Sequence, residues 1–149
     1  MFISKLKIKN FKSIKDAEIE FEQLTMLVGA NASGKSNLVN VFRFISNIAT
    51  DGIDNAIALQ GGIPYLANAS LPKGTPIEIG FTLDLSNEGW IRSDERSLAL
   101  EIKKIDYNFV IQPNLKGGGY HIISDSAILT FDYLKYDLAV KKEDRYIST

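Results

Sequence analysis

From Ile3 the chain alternates: Lys5, Lys7 and Lys9 fall on one side of a two-residue period, Leu6 and Ile8 on the other, and Phe11 follows Asn10. A strand wet on one face requires that period, which predicts a strand over residues 2–11. After a polar link through Lys12, Ser13, Lys15 and Asp16, the residues Ala17, Ile19 and Phe21 alternate with Glu18, Glu20 and Glu22 in the same way. An antiparallel hairpin of the two segments sets lysines against glutamates across the exposed face, at about 0.2 to 1 kcal/mol per favourable pair.

Leu24 to Val28 is nearly continuous apolar sequence with no wet face, and predicts a central strand covered by helices on both sides. Beyond a Gly-rich turn, Leu38, Val41, Phe42, Ile45 and Ile48 recur at helical spacing, with Asp51-Gly52 as the stop. Residues 51–76 are punctuated by Gly52, Gly61, Gly62, Pro64, Pro72, Gly74 and Pro76, which predicts an irregular connection with one helical turn. Ile77, Ile79, Phe81, Leu83 and Leu85 alternate again, Ser86 to Gly89 makes a turn, and Leu98, Leu100 and Ile102 resume the period. With Tyr107 to Gln112 and the segment from Tyr120 onward, the second half reads as an antiparallel meander. The polar tail from Lys141 to Thr149 predicts a frayed end.

The chain has 149 residues, 45% of them hydrophobic and 23% charged, which suits one globular domain. Its net charge of -1 offers no general basic excess, so a nucleic acid or an acidic membrane would have to be met by a local patch. The Lys5, Lys7 and Lys9 face is such a patch, but Glu18, Glu20 and Glu22 neutralise it if the hairpin forms. With no Cys and one His, disulfides, thiolate metal sites and a cysteine nucleophile are excluded, and the candidates narrow to oxygen-bound metals and nucleotides. The start has no apolar core for a signal peptide and no stretch approaches a membrane span, so a soluble, cytoplasmic protein without a membrane partner is expected.

Gly29-Ala30-Asn31-Ala32-Ser33-Gly34-Lys35-Ser36 fits the Walker A phosphate loop of Gly, four residues, Gly, Lys and Ser or Thr. A strand before it and a helix after it allow the loop to wrap a phosphate chain while the helix N-terminus turns its N–H groups and positive dipole end to the same charge. Gly29 and Gly34 permit backbone angles and close approach that a Cβ would obstruct. Lys35 is placed to reach the β and γ phosphates of ATP, and the Ser36 hydroxyl to ligate Mg2+.

The run Lys-Ile-Lys-Asn-Phe-Lys-Ser-Ile-Lys-Asp from Lys7, followed by Leu-Val-Gly-Ala-Asn-Ala-Ser-Gly-Lys-Ser-Asn-Leu ending at Leu38, resembles the N-terminal part of the ABC-type P-loop ATPases of the SMC, RecF and OLD group. Asn31 within the loop and Asn37 after Ser36 look more like that group than like membrane transporters, whereas Ala32 stands where the group often has Gly or Asn. The resemblance implies an α/β partial ATPase head: a mixed sheet, one main helix and an antiparallel β lobe over residues 77–134. It also implies that Asn10, Lys12 and Ser13 lie near the nucleotide, and that full-length relatives act in DNA repair, chromosome maintenance or phage defence, with ATP closing two heads over DNA. The matching strength lies in residues 1–45; beyond them the likeness is architectural.

Hydrolysis in that group also needs a signature loop, an apolar strand ending in Asp-Glu and a switch His. Ile128 to Asp132 has the outline of the acidic strand, but Tyr133 stands where Glu is expected, and His121 precedes that strand instead of following it. The resemblance implies a Mg2+-contacting glutamine, for which Gln60 and Gln112 are the candidates, though neither lies in a recognisable motif. Lys116 to Gly119 reads as a hairpin tip. Binding of ATP is therefore expected, and turnover only if a missing C-terminal half or a partner completes the site; unpaired sheet edges predict self-association. The alternatives are a small P-loop kinase, disfavoured by the strand-rich second half, and a non-catalytic interaction module.

Overall fold

Leu6, Ile8 and Phe11 share one face of a strand with Lys5, Lys7 and Lys9 on the other, and that division builds the molecule. In the computed structural model, residues 1–30, 34–86, 88, 90–93, 98–116, 118–136 and 143–147 are described. The strands are β1 (Phe2–Phe11), β2 (Ile14–Glu20), β3 (Ile77–Asp84), β4 (Ile91–Ser93), β5 (Leu98–Pro113), β6 (Tyr120–Tyr136) and β7 (Glu143–Ile147); the helices are α1 (Lys35–Asp51), α2 (Ile53–Leu59) and α3 (Ile63–Leu66). One sheet runs β2-β1-β3-β5-β6-β7, with β4 pairing a further stretch of β5, and every described pairing is antiparallel.

The helices cover one face of this sheet. Leu6, Ile8, Phe11, Ile77, Ile79, Phe109 and Ile111 come from the strands, and meet Leu38, Val41 and Phe44 of α1, Ala56 and Ile57 of α2, and Ile63 and Leu66 of α3. The Phe11 and Phe44 rings lie 5.8 Å apart at the centre of this layer, in the tilted arrangement that aromatic pairs prefer. Gly52 closes α1 at a φ of 81°, which an L side chain rarely adopts, and its N–H donates to the Ile48 carbonyl.

The opposite face is polar and ion-paired as the alternation requires. β1 and β2 set Lys5 opposite Glu20, Lys7 opposite Glu18 and Lys9 opposite Asp16. Only Lys5 reaches across that hairpin, to Glu18 at 2.5 Å; Lys7 and Lys9 turn the other way, to Glu78 of β3 at 2.8 and 3.2 Å. The hydrogen bond and charge of Lys7 hold the Glu78 carboxyl below its usual range, and Lys5 does the same for Glu18. All three lysines thus have carboxylate partners.

Four expectations are corrected. Leu24 to Val28 is not a strand: it joins no ladder, and Leu24, Met26 and Val28 are 86%, 79% and 92% exposed. A strand buried on both faces needs a neighbour on each edge, and among the described residues none lies beside this one. Without it, no described pair of strands is parallel. The 51–76 connection holds two short helices, since Ala56, Ile57, Ile63 and Leu66 all reach the core and Gly61 and Gly62, each at a φ of 93°, make the corner between them. The two predicted strands around Ile102 and Tyr107 are one strand, β5, whose ladder with β6 slips between Ile102 and Lys104. Within the tail, Glu143–Ile147 pairs with β6, because Asp132 to Tyr136 offer it a free edge.

Candidate functional site

The loop between β2 and α1 collects its neighbours through backbone geometry. Asn10 has a φ of 57° and Lys12 one of 51°, left-handed values that cost about 1–2 kcal/mol for a residue with a side chain. The reversal at Asn10 turns both Asn10 and Phe11 inward, and the tight turn at Lys12 and Ser13 brings β2 back beside β1. Ser13 then stands at the start of α1: the Asn37 amide donates to its hydroxyl at 2.6 Å, and a Cβ on Gly34 would lie 3.8 Å from that oxygen. Gly34 caps the helix at a φ of 95°, a conformation that favours glycine, and its carbonyl accepts from the N–H groups of Asn37 and Leu38. No acidic side chain sits in the first turn of α1.

Lys35 folds its ammonium group back over the loop, donating to the carbonyl oxygens of Gly29 and Ala30 at 2.6 Å each. Beside it, an open cleft of about 590 Å³ is lined by Ser13 to Ala17 and Ile19 of the hairpin, by Leu27 to Gly29, and by Gly34, Lys35 and Leu38. Its size falls within the roughly 300–1,000 Å³ of small-molecule sites. The lining combines apolar groups, Ile14, Ala17, Ile19, Leu27, Val28 and Leu38, with Lys15, Asp16, Lys35 and the helix start, a mixture that suits a ligand with an apolar part and an anionic part.

Gly29, Gly34, Lys35, Ser36, Asn37 and Ser13 are thus brought together at one helix end. Asn31, Ala32 and Ser33 lie outside the described residues. Asn10 is not part of the cleft lining: it is 1% exposed, its amide donates to the carbonyl oxygens of Thr75 and Pro76 at 2.5 and 3.2 Å, and its oxygen accepts from the Asn68 N–H at 2.9 Å. It ties β1 to the α3–β3 connection. The Lys12 ammonium lies 5.9 Å from the centre of the Phe11 ring, and its N–H donates to the Leu66 carbonyl. Gln112 is spent on the carbonyl oxygens of Gly74 and Pro113, and neither it nor Gln60 lines the cleft.

Asp132 lies in β6, 3.7 Å from Lys103, which also binds Glu101 at 2.7 Å. His121 is an exposed β6 residue opposite Gln112. Among the described residues no group of three or more His, Asp or Glu is placed to hold a metal ion, and no helix is long and apolar enough to cross a membrane. The Asn37–Ser13 bond was not foreseen, though the pair's presence on the same two motifs was its one sequence signal.

A phosphate loop between a strand hairpin and a helix, beside an antiparallel sheet, defines a partial head of the P-loop ATPase class. The chain belongs to the AAA ATPase domain family, whose model matches residues 1–148. It is 30% identical over 108 residues to the DNA replication and repair protein RecF of Nostoc punctiforme, covering 70% of this chain and 27% of that protein. The chromosome partition protein Smc of Halothermothrix orenii is 49% identical over 47 residues, 30% of this chain and 4% of that one. A solved structure from work on the "structural biochemistry of ATP-driven dimerization and DNA stimulated activation of SMC ATPases" has the same fold, with a TM-score of 0.55 at 22% identity over 85% of this chain and 72% of that one. The relation read from Lys7 to Leu38, to ABC-type ATPases of the SMC and RecF kind, therefore stands. The chain spans about a quarter of the length of the RecF proteins it matches, 24% to 28%.

Proposed function

We propose that residues 1–149 act as one ATP-binding domain, the nucleotide-gripping part of an SMC- or RecF-like ATPase. Residues 1–50 supply the hairpin, phosphate loop and helix, and residues 77–134 the supporting β lobe. The observation that carries the reading is the position of Lys35: its ammonium group rests on the loop carbonyls of Gly29 and Ala30 at the mouth of the cleft, beside a helix start without acidic residues. Those two neutral acceptors are the contacts a phosphate would replace with charge-assisted ones, which are roughly twice as strong. The loop backbone from Gly29 to Gly34 would hold the β and γ phosphates, with Asn31, Ala32 and Ser33 in its span and Asn37 behind it; Ser13 lines the cleft and Lys12 precedes it in the chain. Mg2+ would be held by the Ser36 hydroxyl together with the nucleotide and would neutralise phosphate charge.

Efficient hydrolysis needs a group that orients water and further charges around the γ phosphate, which Lys35 and Ser36 do not supply. A further ATPase half or a partner chain is proposed to provide them, and the exposed Leu24–Val28 segment is consistent with such a neighbour. Self-association, and DNA as a partner of the full assembly, are proposed for this chain by analogy with the ATP-driven dimerization and DNA-stimulated activation of the SMC ATPases. Calorimetric titration with MgATP is the test, with phosphate release followed on the same samples. Saturable binding that weakens at least tenfold in Lys35→Ala, about 1.4 kcal/mol, with negligible turnover, supports the reading. Equal affinity in the two proteins would refute it.

A further inference from the structure

The cleft lies between the hairpin and the start of α1, and the residues flanking β2 on either side both touch that helix. Just after β2, the Phe21 ring packs edge-on against that of Phe42, with centroids 5.6 Å apart. Just before it, the contact is polar: the Asn37 amide donates to the Ser13 hydroxyl at 2.6 Å. Asn37 belongs to the first turn of α1, beside Lys35 and Ser36, and that turn has no side-chain cap because Gly34 occupies the cap position. Its Asn37 and Leu38 N–H groups share the Gly34 carbonyl at 3.0 Å each. Helix ends of this kind fray, and the bond to Ser13 braces this one from the side.

Ser13 is itself held in place. The turn that carries it has two residues with side chains in the left-handed region, Asn10 at a φ of 57° and Lys12 at 51°. Such strain persists only where the surroundings over-determine it. Here Asn10 is bonded to Thr75, Pro76 and Asn68, and the Lys12 N–H donates to the Leu66 carbonyl at 2.6 Å. We propose that Ser13 and Asn37 act as a positioning pair, which ties the first turn of α1 to this braced turn and so holds Lys35 and Ser36 at the spacing from the hairpin that a bound nucleotide requires. This role rests on ATP being held at Lys35 and Ser36, as proposed above; neither member of the pair has to touch the nucleotide. The bond lies at the surface, so breaking it changes overall stability little, but it frees the helix start. A ligand must then order that turn as it binds, and its affinity falls.

Hydrogen exchange and MgATP titration on the unmodified chain, Ser13→Ala, Asn37→Ala and the double variant test the pair. Without nucleotide, exchange at the Leu38 amide and at the amide of residue 37 should quicken about three- to tenfold in each variant, with β3 unchanged. Each single variant should bind MgATP about three- to tenfold more weakly, and the double variant no more weakly than either, since the two side chains serve one bond. Ser13→Thr keeps the hydroxyl and should bind within about twofold of the unmodified chain. Phe21→Leu loosens the other end of the hairpin; it should lower the urea midpoint and leave MgATP affinity within about twofold. Losses that multiply in the double variant overturn the pair. So does weaker binding in Ser13→Ala alone, the pattern of a serine that touches the nucleotide directly. Unchanged exchange at Leu38 in either single variant overturns it as well, as does Phe21→Leu weakening affinity as much as Ser13→Ala. An unmodified chain that binds no MgATP removes the ATP reading and the role of the pair together, whereas equal affinity in all variants removes the pair alone.

Discussion

Two apolar segments of the chain, Ile77–Asp84 and Leu24–Val28, meet opposite fates. In β3, Ile77 and Ile79 are 1% and 0% exposed, between β1 and β5 and under the helices. In the other segment, Met26 and Val28 stand almost fully in water, although it has the more continuous apolar run. The difference lies in neighbours: β3 has a hydrogen-bonded strand on each edge and a helical layer on one face, whereas Leu24–Val28 has no ladder. Hydrophobic content states a demand for burial, and the rest of the assembly decides whether it is met.

The largest effect that sharpens this contrast belongs to β3. Ile79→Ala should cost about 2–5 kcal/mol in urea unfolding, because it opens a cavity among β1, β5 and the helices. Next comes Asn10→Ala, which strands the Asn68 N–H in the interior and removes the tie to Thr75 and Pro76; about 1–3 kcal/mol should be lost in the same measurement. A smaller effect lies on the outer face of β3. Glu78 is held below its usual range chiefly by the hydrogen bond from Lys7, so its contribution is present above its unfolded pKa near 4.5 and disappears as the pH falls through its lower folded value. Glu78→Gln should remove less than about 1 kcal/mol at neutral pH, since both lysines are well solvated, and should flatten the acid limb of a stability–pH curve below pH 4.5. Smallest of all, Met26→Ser should change stability by no more than about 0.5 kcal/mol. A Met26 effect equal to that of Ile79 would break the comparison.

The parts legible in the sequence are those whose cause is local. The two-residue period around Lys5 to Lys9 carries β1, and the apolar spacing from Leu38 to Ile48 carries α1, with Gly52 as its stop. Glu78 as the partner of Lys7 and Lys9 was not legible, because it depends on a register between segments some seventy positions apart. α2 and α3 were hidden because helices of seven and four residues cannot form alone and owe their shape to packing. The loop from Gly29 to Ser36 was legible as a candidate for phosphate chemistry, since Gly, Lys and Ser occur there at the spacing that phosphates require. Ser13 was drawn toward it only by resemblance, and its contact with Asn37 needed the turn at Lys12. Asn10 shows the reverse: its motif suggested a ligand contact, while its positive φ turns the side chain into the core.

Hydrogen exchange on the unmodified chain and on Lys35→Ala, with and without MgATP, tests the account most directly. It follows the amides of residues 24–30, of α1 from Lys35 to Leu38, and of β3 in one experiment. Slow exchange is expected in β3 throughout, and fast exchange at residues 24–30 without nucleotide. MgATP should add protection around Gly29, Lys35 and Ser36 in the unmodified chain and not in Lys35→Ala. Amides at 24–28 protected as strongly as those of β3 without nucleotide, or a loop indifferent to MgATP, would contradict it.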